Sequence, residues 1–396
     1  MASPVTASSV HVPKFGTDLH SDEMLRDPYP TYRRFRDAGS VIWLEHHNMY
    51  AVPRHAEVAE VLTRWKTFVS GQGIGMNDFV RQAARTTLQT DPPEHDKYRK
   101  LEGKPLLPGA VKTLEPELRE LARRTVETLR ELERFDGVTQ LAHVLPLEIV
   151  AHRVGLPDDG RERMLEWAAA GFNCMGMMDN ERTQEGMRIM QEAAAYLQAA
   201  VPDGLTPGGW ADDLMQAEKR GELDRQTCIM LLSDYIYPSL DTTIHAISAG
   251  LKLFGENPDQ WELLRQDRSL LPRAVSEIGR LASPILWFSR VAVEDYDLGG
   301  TLLPEGSRVV VLYGSANRDE RKFPDPERFD ISRPPVDQLA WGRGRHTCMG
   351  MHLARLEMEV MFDEMANVVE RIEVGKSELA MNNVLYGYKH LEVAFK

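Results

Sequence analysis

Ten residues toward the C-terminal end carry the most explicit chemistry in this chain: Trp341-Gly342-Arg343-Gly344-Arg345-His346-Thr347-Cys348-Met349-Gly350, followed at once by a helix-forming stretch. Glycines at 342, 344 and 350 permit backbone angles that a Cβ forbids and let the chain press against a flat ring. Cys348 lies between them as the only candidate ligand, so the run reads as a loop presenting a cysteine thiolate to a haem iron. His346, Arg343 and Arg345 add donors and positive charge beside it. A buried free cysteine on a glycine-rich loop is the competing reading of Cys348.

Three further spacings bear chemistry. In Glu277-Ile278-Gly279-Arg280 the acid and the base stand three apart on one helical face, where they can pair, and Arg328 in Pro326-Glu327-Arg328-Phe329 can complete a buried triad. His95 and Arg99 stand four apart on a helix that begins after Asp91-Pro92-Pro93, so both can reach one anion. Asp241-Thr242-Thr243 sets an acid before a hydroxyl, a pair able to move protons toward a reacting oxygen.

These residues need a large scaffold, and the chain supplies one: 396 residues, 42% hydrophobic, with no linker dividing them, predict one globular unit over residues 1–396. Val41–Leu44 and Met49–Val52, separated by His46, His47 and Asn48, predict a strand pair. Helical spacing covers Glu115–Leu132, Arg188–Ala200 and Asp224–Phe254, and strand signals return at Arg308–Leu312 and Leu391–Phe395. Phe323–Pro335 reads as an ordered meander. Met1 to Val12 lacks the apolar run of a signal peptide or membrane anchor, and Cys174, Cys228 and Cys348 make no disulfide framework, so a cytoplasmic protein is expected. A net charge of −13 disfavours nucleic acid and anionic membrane as partners. Arg343, Arg345 and Arg355 nevertheless predict a local basic face on the cysteine side, able to steer an acidic electron-transfer partner.

The cysteine run resembles the haem loop of the cytochrome P450 superfamily, with Trp341 where a Phe is usual. The resemblance extends from Asp27-Pro28-Tyr29-Pro30 to the final strands. It implies a mainly α fold, a triangular helical prism with a smaller β-rich region, and haem b as cofactor with Cys348 as the iron's axial thiolate. Glu277, Arg280 and Arg328 then match the structural lock of the haem-side core. His95, Arg99, Arg290 and His346 match the residues that bind the haem propionates. Asp241 and Thr242 match the oxygen-activating pair, but Pro238 and Ser239 replace the family's Ala/Gly-Gly, and Pro238 should widen or kink the helix there. The Trp341 indole N–H either reaches the thiolate or merely packs.

The implied activity is that of a monooxygenase inserting one atom of O2 into an organic substrate. No P-loop, dinucleotide fingerprint or flavin domain is present, so the electrons are expected from a ferredoxin and an NAD(P)H-dependent ferredoxin reductase. Matching segments place Gln72, Ile74, Phe172, Met175, Asp234, Ile285, Phe288 and Leu385 around the substrate, with Val69 to Phe79 as a loop over the haem. Gly71-Gln72-Gly73-Ile74-Gly75, Gly314–Asp319 and Asn382–Leu385 look most like enzymes that oxidise or O-demethylate para-substituted benzoates. Where those enzymes bind the carboxylate, this chain has Gln72, Ser233 and Asp234 and no cation. A neutral methoxyarene or phenol is therefore expected over a benzoate, in the catabolism of small aromatic compounds. Tailoring of a larger natural product and haem binding without turnover are the alternatives.

Overall fold

The computed structural model describes residues 12–78, 86–200, 204–334 and 337–396. Phe79, Pro335 and the residues before Val12 lie outside these, so the readings that fell on them are not addressed.

Helical segments follow the apolar spacing. In the Glu115–Arg130 helix, Leu118, Ala122, Val126 and Leu129 recur at four- and three-residue intervals. All are buried, on a helix that packs against Met351–Val368. The Glu181–Ala200 helix contains the predicted 188–200 segment. The predicted Asp224–Phe254 segment divides into Arg225–Ile236 and Asp241–Glu256. The interruption falls at Pro238, which has no N–H to continue the ladder, so a kink expected within one helix becomes a break between two.

The strands are β1 (Lys14–Phe15), β2 (Ile42–Leu44), β3 (Met49–Val52), β4 (Phe68–Val69), β5 (Phe135–Asp136), β6 (Trp287–Ala292), β7 (Tyr296–Leu298), β8 (Thr301–Leu303), β9 (Arg308–Leu312), β10 (Ile372–Leu379) and β11 (Tyr388–Phe395). One sheet runs β1-β2-β3-β9-β6-β4, a second β10-β11-β5, and β7 and β8 form a hairpin. All six residues of β6 are buried, as befits an interior strand hydrogen-bonded to β9 and β4. Its Arg290, opposite Val309, is carried into the interior by the strand itself.

Two apolar cores form, one among the helices and one around the larger sheet. Between helices and sheet lies a cavity with about 1450 Å³ of atom-free space, mouth included. Among the described residues no helix is long and apolar enough to cross a membrane.

Candidate active site

The cysteine loop is shaped by its own backbone. The Cys348 N–H donates to Trp341 O at 2.8 Å and the Thr347 N–H to Gly344 O at 3.2 Å. Gly342 and Gly344 adopt φ of +66° and +74°, and a Cβ on Gly344 would fall 2.7 Å from Leu62 O. These two glycines meet the expectation. Gly350 does not: its φ is −81°, and an added Cβ would have only Cys348 Sγ nearby, at 4.0 Å. It precedes the Met351–Val368 helix, and its N–H points at the Cys348 sulfur.

Protein encloses Cys348 on every side, yet its surface is accessible from within the cavity. Enclosure pushes the thiol pKa up, while the Gly350 N–H, the Arg99 guanidinium and the Met351 N–H favour the thiolate. Trp341 lines the cavity without bonding to the sulfur, which selects the packing role for its indole.

At one edge of the cavity, the Glu94–Glu102 helix brings His95 and Arg99 beside His346, and all but His95 lie in the wall together with Arg290. The His95 and His346 rings are 4.5 Å apart between centroids. His95 Nδ1 is 3.0 Å from Asp96 and its buried Nε2 has no hydrogen-bond partner, while the His346 Nε2 faces Asp91 Oδ1 at 4.0 Å, beyond hydrogen-bond distance. Two adjacent buried imidazoles beside two guanidiniums are what a dicarboxylate ring requires, so the donors present fit haem. Arg99 also donates to Thr347 O at 2.6 Å and Arg290 to Ser289 O at 2.7 Å, which fixes their stems. Burial lowers the His346 pKa to about 4. On the outer side, Arg345 pairs with Asp96 at 3.0 Å and Arg343 with Asp337 at 3.7 Å, so two arginines of the expected basic face have acidic neighbours.

The Glu277–Arg280 pair is buried and bidentate, with both contacts at 2.7 Å. Its expected third member is corrected by the structure. Arg328 is 65% exposed and lies 3.9 Å from Asp330, because its carbonyl turns inward to accept from Arg280 at 3.3 Å and Arg333 at 3.4 Å. Arg333 completes the triad instead, its Nε 3.0 Å from Glu277 Oε1. It also donates to Pro324 O and Asp325 O, each at 2.8 Å.

On the cavity's other face the break between helices is a functional feature. The Thr242 hydroxyl donates to Pro238 O at 2.8 Å, and Pro238, Ser239 and Thr242 all line the cavity. Asp241 opens the second helix without itself lining the wall, and burial raises its carboxyl pKa to about 7. Asp234 does line the wall. Its Oδ2 accepts from the Thr87 N–H at 2.7 Å, and burial raises its pKa to about 7. Glu102, hydrogen-bonded to the Thr87 hydroxyl, is raised well above its ordinary value by burial and by Asp234, so Glu102 is the last of the pair to release its proton. Glu357, also in the wall, rises to about 8 through burial. Sequence reasoning missed Glu102, Glu357 and Arg333, since none sits at a telling spacing.

Of the eight expected substrate residues, Asp234, Ile285 and Phe288 line the cavity. Gln72 is corrected: it is exposed, and the loop bearing it is pinned by Arg308, which donates to Gly73 O, Gly75 O and Gln72 O at 3.1, 2.9 and 3.3 Å. Ile74, Phe172, Met175 and Leu385 are buried in the sheet-side core, which also contains the wall residues Phe288 and Tyr313, and are not themselves among the residues lining the cavity. Backbone bonds from Ser289 N to Ile74 O and from Met76 N to Met175 O hold two of them there. Leu385 bridges Ile285, which does face the cavity. Leu88, Trp210, Ala246 and Tyr313 supply wall that the sequence did not reveal.

Comparison with known proteins agrees with this geometry. Residues 187–374 match the family model described as Cytochrome P450. The chain is 33% identical to cytochrome P450 CYP199A2 of Rhodopseudomonas palustris, over 98% of this chain and 97% of that protein. It is 30% identical to linalool 8-monooxygenase of Pseudomonas putida, over 95% and 97%. The fold superposes on CYP109E1 of Bacillus megaterium in complex with testosterone with a TM-score of 0.85, at 27% identity, covering 95% of this chain and all of that one. Full-length similarity and a shared fold, meeting at a cavity that ends on an enclosed cysteine, establish that the chain belongs to the cytochrome P450 family of monooxygenases, whose members bind haem through a cysteine thiolate.

Proposed function

We propose that the protein oxidises a small aromatic substrate bearing no carboxylate, by hydroxylation or by O-demethylation of a methoxyarene or phenol, with Cys348 as the haem ligand. The observation that carries the substrate class is Asp234, interacting with the buried Glu102 and set in a largely apolar wall that includes Ile285 and Phe288. A benzoate would place its anion beside a buried acid, and the wall's guanidiniums, Arg99 and Arg290, stand with His346 at the haem-carboxylate edge.

Haem with a thiolate ligand supplies reductive O2 activation and oxygen-atom transfer. The chain's own residues position the substrate and handle protons. Asp241, with its carboxyl near neutrality, can take or give a proton at pH 7, and the Thr242 hydroxyl is fixed in the wall by Pro238 O. Oxidation of a methoxy carbon gives a hemiacetal that collapses to phenol and formaldehyde. Ferredoxin and an NAD(P)H-dependent ferredoxin reductase are the proposed electron source.

The test is the ferric absorption spectrum, titrated with a para-methoxybenzoate, the corresponding neutral methoxyphenol and an aromatic amine of similar size. A high-spin shift with the methoxyphenol and none with the acid supports the reading. A shift produced best by the acid would overturn it.

A further inference from the structure

A second cluster of ionisable side chains lies outside the cavity, where the segment after β1 meets the β2–β3 turn. His46 Nε2 and His47 Nε2, in that turn, stand 3.8 and 3.6 Å from Asp18 Oδ1, and His20 Nδ1 comes within 4.0 Å of the same oxygen. The ligand atoms of Asp18, His46 and His47 all lie within 4.8 Å of one another. His20 and His47 are each 2% exposed. Neither ring nitrogen of His20 has a hydrogen-bond partner, nor does His47 Nδ1. Buried imidazole nitrogens are seldom left unsatisfied, and here three imidazoles converge on one carboxylate oxygen.

We propose that Asp18, His46 and His47 form a binding site for a divalent transition-metal cation of the zinc class. Imidazole nitrogen with one carboxylate oxygen is a ligand set that suits zinc rather than calcium or magnesium. Zinc bonds of ~2.0–2.1 Å in a tetrahedron set ligand atoms roughly 3.3 Å apart, a few tenths of an ångström closer than the two Asp18–imidazole distances of 3.8 and 3.6 Å, with all three ligand atoms within 4.8 Å of one another. His46, with 43% of its side chain exposed, is free to make that adjustment. One contact must yield, because the Leu19 N–H donates to His47 Nε2 at 2.9 Å and occupies the lone pair a metal would use. Leu19 is the neighbour of Asp18 in one loop, so a small loop movement exchanges that bond for the metal. The His20 N–H donates to Asp18 Oδ1 at 2.9 Å, which leaves that oxygen a second lone pair.

The site's place in the fold assigns the cation a structural role. None of the three residues lines the cavity. The cation would clip the segment after β1 to the β2–β3 turn. Arg182, at the start of the Glu181–Ala200 helix, donates to His20 O at 3.4 Å and pairs with Asp22. The His20 ring also packs 5.7 Å from that of Trp287 on β6. Three parts of the fold would thus be held from one point.

The experiment uses the haem-loaded protein, stripped with a chelator and dialysed against ~100 μM zinc chloride, with bound zinc counted by elemental analysis and thermal unfolding followed in parallel. One zinc per chain, a higher Tm with zinc, and binding weakened at least about tenfold in Asp18→Asn and in His46→Ala are expected. His152→Ala, which removes an exposed imidazole 3.4 Å from Glu148, serves as the control and leaves the stoichiometry unchanged. Zinc bound by both variants as by the parent, or no zinc bound by the parent, overturns the proposal.

Discussion

Replacing Arg333 by Ala, with Arg328→Ala beside it, tests how the haem-side core is locked. Arg333 is 13% exposed and joins Glu277 Oε1 at 3.0 Å to the carbonyls of Pro324 and Asp325 at 2.8 Å each. Truncating it leaves two carbonyls without their charged donor and removes one of the two guanidiniums that neutralise a buried carboxylate. Breaking a buried ion pair costs ~3–5 kcal/mol, and because Arg280 still holds Glu277 the lower end, about 3 kcal/mol, applies. Unfolding entropy of ~2.1 cal/mol/K per residue, over 396 residues, converts this to a fall in Tm of roughly 4 °C. Arg328→Ala removes a side chain that is 65% exposed and changes stability by no more than ~0.5 kcal/mol. Arg333→Lys restores the charge but not the fork, so it falls between the two. The assay is thermal unfolding of the haem-loaded variants, with haem content per chain as a second readout. Equal losses in Arg328→Ala and Arg333→Ala, or a larger loss in the former, would refute the assignment.

Asp234→Ser removes one of the two acids in the cavity wall, Glu357 being the other, and should let a para-methoxybenzoate produce a high-spin shift that the parent does not show; an unchanged response to the acid would mean that Asp234 is not the barrier. The same residue sets a pH dependence. Its carboxyl keeps a proton up to about pH 7 in the folded chain, while the unfolded chain releases it near its ordinary value of 3.8. The folded state therefore binds more protons across that window, so this contribution to stability falls as pH rises through it, by on the order of 4 kcal/mol. Asp234→Asn flattens the slope, and denaturant melts at pH 5 and pH 7.5 that lose stability equally in parent and variant would exclude the effect. Thr242→Ala should divert a larger share of the electrons consumed to hydrogen peroxide, measured as peroxide formed per NADH; unchanged coupling would remove Thr242 from proton handling.

What was readable in advance followed from how locally each feature is encoded. Cys348 with its positive-φ glycines, His95 with Arg99, and Glu277 with Arg280 are each held within one loop or one helical turn, so their spacing was readable once the family resemblance gave it meaning. Arg328 and Arg333 lie in one irregular segment, and which guanidinium turns inward depends on the direction of a carbonyl, which has no period to read. The substrate wall was least legible. Gln72 sits in the expected loop, but Arg308, from a distant strand, pins that loop's carbonyls and leaves the amide outside. Glu102 and Asp234 are brought together by the short Thr87–Gln89 turn, whose Thr87 bonds both, and neither is conspicuous in its own stretch. Leu385 and Ile285 were both expected at the cavity; one faces it and the other supports it from behind.

The break at Pro238 divides the labour of the cavity wall between two rigid pieces. Asp234, proposed to discriminate among substrates, belongs to the Arg225–Ile236 helix, whereas Asp241 and Thr242, proposed to handle protons, belong to Asp241–Glu256. In an unbroken helix a change of side chain at one station is passed along the backbone ladder to the next. Here the ladder is cut, and the tie that spans the gap within this stretch is the Thr242 hydroxyl on Pro238 O. Substrate preference can therefore be rewritten in the first piece while the proton geometry of the second stays as it is, which makes the Arg225–Ile236 helix the place to begin altering what this enzyme accepts.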